Sequence, residues 1–117
     1  MTAPYLPIYQ VQVPVKLAQA ATTTSAVTLY TTPATARTYV TDITACNTSG
    51  STATFDVYLV PATGTASAAN AIFYQCPLTA NQTVQWTSTQ PLFSGDTIQI
   101  KGSGTAIAIT IGGQQAT

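Results

Sequence analysis

Ala53-Thr54-Phe55-Asp56-Val57-Tyr58-Leu59, closed by Pro61-Ala62-Thr63-Gly64, is the stretch that decides the fold. Ala53, Phe55, Val57 and Leu59 point one way, and Thr54, Asp56 and Tyr58 the other. That is the two-residue period of a half-buried strand, and proline and glycine then end it with turn chemistry. The same pattern repeats on both sides. Val27 and Leu29 alternate with Thr28 and Tyr30 before Pro33, and a longer run from Arg37 to Asn47 stops at Asn47-Thr48-Ser49-Gly50. Ile72 to Cys76 is halted by Pro77, and Val84 and Trp86 alternate with Thr83, Gln85 and Thr87. Ile98 and Ile100 follow Ser94-Gly95-Asp96, and Gly102-Ser103-Gly104 leads into Ile107, Ile109 and Ile111. Short alternating runs with turn signals about every ten residues describe an all-β chain. The expected fold is an antiparallel β-sandwich, jelly-roll-like, of about seven to eight strands with an extended N-terminal arm. No helical stripe competes.

In the last run Ile107, Ile109 and Ile111 share one face, while Ala106, Ala108 and Thr110 share the other. The bulky face belongs in the core. The small, uncharged face either meets water quietly or lets another backbone come close.

The first fifteen residues read differently. Pro4, Pro7 and Pro14 punctuate Tyr5, Leu6, Ile8, Tyr9, Val11, Val13 and Val15. Proline removes a ladder donor, so this segment is an arm or edge strand. An apolar arm needs cover, and amphipathic tyrosines are favoured at interfaces. Tyr5, Leu6, Ile8, Tyr9, Val11 and Val13 are therefore the candidate interface residues. Lys16 to Ser25, rich in Ala, Thr and Gln, reads as a connector. The chain divides into arm and connector over residues 1–25 and a sandwich domain over 26–117.

A chain of 117 residues has room for one domain. Only 5% of it is charged, against roughly 25% in an average soluble protein. Lys16, Arg37, Lys101, Asp42, Asp56 and Asp96 carry all of it, and the formal net charge is +0. Nucleic-acid binding needs clustered Lys and Arg, so that partner class is not expected. No apolar run approaches the ~20 residues of a membrane-spanning helix, and Met1–Gln10 lacks the basic and apolar regions of a secretory leader. About one residue in five is Thr, which suits strands whose outer face is either wet or covered. A neutral chain has little to repel its neighbours, and this favours an assembled protein over a free monomer.

The inventory for chemistry is thin. There is no His and no Glu. The commonest general base and metal ligand is absent, and paired-carboxylate work would need two of the three Asp residues. Asp42 and Asp56 read as strand residues, and Asp96 after Gly95 as a turn residue bonding backbone. No base is at hand to activate a Ser or Thr, and no phosphate-cradling glycine pattern exists. No catalytic residue, metal site or cofactor is expected. Cys46 and Cys76 each end a strand; free thiols are favoured over a disulfide for a protein assembled in a cytosol. Trp86 is in phase with Val84 and reads as core. Tyr58 faces outward and, with Tyr30 or Tyr74, would serve as a sugar platform or an inter-subunit contact.

From Tyr30 to Gly113 the order of motifs carries a resemblance. It runs from Tyr30-Thr31-Thr32-Pro33 through Cys46-Asn47-Thr48-Ser49-Gly50 and Val57-Tyr58-Leu59-Val60-Pro61. It continues with Leu78-Thr79-Ala80-Asn81-Gln82-Thr83, Gly95-Asp96-Thr97-Ile98 and Ile109-Thr110-Ile111-Gly112-Gly113. This resembles small β-sandwich virion proteins of tailed bacteriophages, both capsid decoration (cement) proteins and tail-associated modules. The resemblance implies a homo-oligomeric, particle-bound protein without enzymatic activity. The leading expectation is a decoration protein on the capsid exterior, made in the host cytoplasm. Its partners would be the major capsid protein and copies of itself, as a homotrimer or a dimer, with no nucleic acid and no membrane. The alternative is a tail- or fibre-associated receptor- or glycan-binding module. A secreted carbohydrate-binding domain is a third reading, which a Cys46–Cys76 disulfide would support.

Overall fold

The computed structural model describes residues 12–116. Eight strands follow one another: β1 (Gln12–Ala21), β2 (Val27–Thr31), β3 (Arg37–Asn47), β4 (Ala53–Val60), β5 (Ala71–Leu78), β6 (Thr83–Leu92), β7 (Thr97–Gly102) and β8 (Ile107–Ala116). A 3-10 turn, Ala68–Asn70, precedes β5. The strands form two four-stranded sheets in the orders β1-β8-β3-β6 and β2-β7-β4-β5, every pairing antiparallel. First pairs with eighth, second with seventh, third with sixth and fourth with fifth. That is one long hairpin rolled up, the jelly-roll-like order expected of the sequence.

The core lies between the sheets, where the alternation predicts it. Val40, Ile43 and Ala45 of β3 and Ile107, Ile109 and Ile111 of β8 meet Phe55 and Val57 of β4 and Ile98 and Ile100 of β7. All are buried, and the Phe55 ring lies 5.1 Å from that of Phe73 on β5. Burial of such side chains contributes about 1.5–3 kcal/mol each.

One end of the sandwich is fixed by a polar residue. Asn47, fully buried, donates from Nδ2 to the carbonyls of Ser51 (2.8 Å), Leu78 (3.0 Å) and Thr79 (3.2 Å). Its Oδ1 accepts from the Ser49 amide at 3.0 Å and the Ser49 hydroxyl at 2.8 Å. One side chain thus ties the turn after β3 to the turn after β5, with its hydrogen-bonding capacity filled.

The connector reading fails over Lys16–Ala21. Those residues belong to β1, which pairs with β8 from Gln12↔Ala116 to Ala21↔Ala108. The Ala/Gln sequence has little strand propensity of its own; pairing with β8 supplies the conformation, and Leu17 and Ala20 pack on the core. The strand therefore occupies part of the segment assigned to arm and connector. Pro14 is tolerated because β1 is an edge.

Candidate functional site

Of the six expected interface residues, Val13 sits on β1 opposite Gln115 with 46% of its surface exposed. Tyr5, Leu6, Ile8, Tyr9 and Val11 lie outside the described residues.

The broadest feature is the outer face of the β1-β8-β3-β6 sheet. Alternation and register place four rows across it: Ala21–Ala108–Cys46–Thr83, Gln19–Thr110–Thr44–Gln85, Lys16–Gly112–Asp42–Thr87 and Pro14–Gln114–Tyr39–Pro91. By the same alternation Arg37, in register with Ala116, falls on this face one row beyond Tyr39, and within the four rows the charges Lys16 and Asp42 share one row with Gly112 between them. β1 and β3 both bulge there, at Leu17 and Thr41, on the two sides of β8. The glycine pair lies beside both bulges and leaves room for close approach: a Cβ on Gly112 would overlap Asp42 Oδ1, and one on Gly113 would overlap the Tyr39 carbonyl oxygen. Without side chains there, β8 is approached closely from both neighbours. An open depression of about 440 Å³ results, lined by Lys16, Thr41, Asp42, Thr110 and Gly112 among others.

The other two carboxylates are committed to structure. Asp56, on the outer face of the other sheet, is only 6% exposed. It accepts from the Tyr58 hydroxyl at 2.6 Å and the Gln75 amide at 2.6 Å. Burial, with the Asp56 carboxylate beside it, pushes the Tyr58 phenol up to about 12. Asp96 accepts from the amides of Phe93 (2.9 Å) and Ala62 (3.0 Å), closing its own turn and tying it to the turn after β4. Among the described residues no three His, Cys, Asp or Glu side chains come together. Cys46 and Cys76 are free thiols on different sheets, Cys46 on an outer face and Cys76 against the core.

The three tyrosines do not form a platform. Tyr58 points outward but is buried, opposite Ala71 of β5 and hydrogen-bonded to Asp56. Tyr30 packs on the core, its hydroxyl hydrogen-bonded to Thr38 Oγ1 (2.7 Å) and to Gln115. Only Tyr74 is exposed. Trp86 does pack on the core, but as a partly buried residue of an edge strand, with its ring edge-on to Phe73 at 6.3 Å.

Fold and face together define a β-sandwich that presents a wide, nearly neutral sheet surface. A chain of the Bacillus endospore appendages, a family of disulfide-linked pili, shares the fold with a TM-score of 0.54 and 14% identity, covering 92% of this chain and 87% of that one. Chains in structures of infectious bursal disease virus, Gx and Gt strains, align with TM-scores of 0.47 and 0.43 and identities of 16% and 13%. Each alignment covers 91% of this chain but only 31% and 32% of the viral chains, so this protein spans about a third of their length. No protein-family model and no curated protein sequence matches the chain.

Proposed function

We propose that this protein is a non-enzymatic structural component of a larger assembly, and that the assembly is a tailed-phage particle on whose capsid exterior it acts as a decoration protein. The observation that carries the reading is the outer face of β1-β8-β3-β6: four rows of mostly small or uncharged residues that hold Lys16 and Asp42, with Arg37 at their border. Such a face can be covered by protein at little desolvation cost. The resemblance of Tyr30–Gly113 to phage virion proteins supplies the particle, and the absence of His and Glu argues against chemistry. The pilus chain of like fold is compatible with a role in assembly.

Size decides what else is needed. Four rows of four strands span roughly 20 Å by 15 Å, or ~300 Å². A standard interface takes about 800 Å² from each partner. The face alone supplies less than half, so attachment also needs contacts that link neighbouring copies, and these are proposed for the arm. The major capsid protein and further copies of this chain are the partners proposed for these two surfaces.

The test is addition of the purified protein to capsids that lack it, followed by sedimentation and counting of copies per particle. Decoration predicts copy numbers comparable with the major capsid protein, and loss of binding when residues 2–11 are deleted. A handful of copies at one vertex would favour the tail or fibre module, the reading that exposed Tyr74 and Phe93 support as contact residues.

A further inference from the structure

The two sheets have four edge strands, and three of them are guarded. β1 carries Pro14, Lys16 and a bulge at Leu17. β2 is five residues long and bulges at Leu29. β5 loses register with β4 twice, holds Gln75 at φ 49 and contains Pro77. Short length, charge, proline and bulges are the usual means of keeping an edge from pairing with another chain. β6 lacks them where it matters. Thr83-Val84-Gln85-Trp86-Thr87 runs in unbroken register along Cys46–Asp42, with no charge and no proline. Among the described residues no strand pairs with its other side. Next to it the side of the sandwich stays partly open: Val84 and Trp86 of β6 and Ile72, Phe73 and Cys76 of β5 pack on the core but are only partly buried.

We propose that this edge receives residues 5–11 of a second copy as a fifth strand of the sheet. The inference rests on the assembly reading above and names its copy-to-copy contact. Tyr5-Leu6-Pro7-Ile8-Tyr9-Gln10-Val11 is extended in its chemistry and apolar on both faces. Alternate residues of a strand turn their N–H groups to the same edge. With Leu6, Ile8 and Gln10 turned to β6, every one of them can donate, and Pro7 falls on the far side, where its missing N–H is not needed. The prolines thus permit one orientation of the arm and blunt the new edge that it makes.

The occupant comes from another copy because the chain's own arm cannot reach. Gln12 lies in the row of Ala116 and Arg37, whereas Gln85 lies in the row of Gln19 at the far edge of the sheet. Seven residues along and three strands across put them about 27 Å apart. Ile8 is four residues from Gln12 and reaches at most about 14 Å; Tyr5 reaches about 25 Å. A contact of arm to edge repeated between copies is head-to-tail, and it closes into a ring or continues as a filament.

The experiment uses full-length chains with Cys46→Ser and Cys76→Ala. Copies with Ile8→Cys or Tyr9→Cys are mixed with copies carrying Val84→Cys or Gln85→Cys, and Thr28→Cys on β2 serves as the control edge. Mild oxidation is expected to give an inter-copy disulfide in at least one β6 mixture and none with Thr28→Cys. Gln85→Lys, which guards the edge without touching the core, is expected to weaken self-association by light scattering about tenfold with unchanged circular dichroism. Oligomers whose cross-links never exceed the Thr28→Cys control would overturn the proposal. A chain that is monomeric in solution and on the particle, yet coats capsids, would overturn arm exchange and leave the decoration reading standing. A chain that neither self-associates nor binds capsids would overturn both.

Discussion

The Tyr58 hydroxyl donates a 2.6 Å hydrogen bond to the carboxylate of Asp56, two residues earlier on the same outward face of β4. The other carboxylate oxygen accepts from the amide of Gln75, a residue held at φ 49 in the bulge of β5. A chain with three acidic residues has used one to anchor an edge strand.

The pair makes stability depend on pH in the alkaline range. Burial and the Asp56 carboxylate raise the phenol from 10.0 to about 12, so the folded state holds the proton more tightly. The stabilisation from this group is therefore complete below pH 10.0 and is lost as pH rises through about 12. Urea midpoints measured across that window should fall, and Tyr58→Phe should flatten the part of the fall due to this group. Parallel losses in parent and variant would assign the effect elsewhere. Asp56→Ala, leaving two donors without an acceptor, should cost about 2–4 kcal/mol at neutral pH.

Gly113 admits no side chain, because a Cβ would meet the carbonyl oxygen of Tyr39 on the paired strand. Backbone cannot swing aside as a side chain can. Gly113→Ala should destabilise by about 3–4 kcal/mol through loss of register between β8 and β3. Gly50, with nothing within 4 Å of its would-be Cβ, is the matched control. Gly50→Ala should leave the denaturation midpoint nearly unchanged.

Trp86 separates a core role from a ligand platform. It is partly buried and packs edge-on to Phe73. Trp86→Ala should cost about 2–3 kcal/mol, below the 3–5 typical of a fully buried large aromatic. A change under about 0.5 kcal/mol, the range of ordinary surface substitutions, would mean that the ring is held for something other than the fold.

The sequence was legible where bulky and polar residues alternate without interruption. Phe55, Val57, Ile98, Ile100, Ile107, Ile109 and Ile111 face the core as read, and the sandwich follows from them. β1 was not legible, because Ala18, Gln19, Ala20 and Ala21 contain no bulky alternation and their strand depends on a partner ninety residues away. Tyr58 was assigned the right face and the wrong exposure: alternation reports direction, whereas burial on an outer face depends on tertiary packing. The small face of β8 was visible as Ala108 and Thr110, whereas Ala106 precedes the strand and packs against the core. Extension of that face into four rows required the register. The bulges at Leu17 and Thr41 have their signal in Gly112-Gly113, readable only once the neighbours of β8 are known.

The final prediction concerns how the proposed attachment responds to salt and heat. The face proposed to meet the shell carries only Lys16, Asp42 and Arg37 as charges, and the proposed arm residues have no charge at all. Exposed ion pairs contribute about 0–1 kcal/mol each, so screening has little to remove. Attachment should be nearly unchanged between low and moderate salt. Apolar contact contributes about 25 cal/mol per Å², and repeated copies add it across every junction they bridge. Shells lacking the protein should still assemble, because clamping contacts add to a closed shell, but should release DNA at a lower temperature. Thermal DNA-release curves of complete and depleted particles at two salt concentrations test both points. Equal release temperatures would move the protein from the shell to the tail, and dissociation by moderate salt alone would show that charge, against the composition, holds it in place.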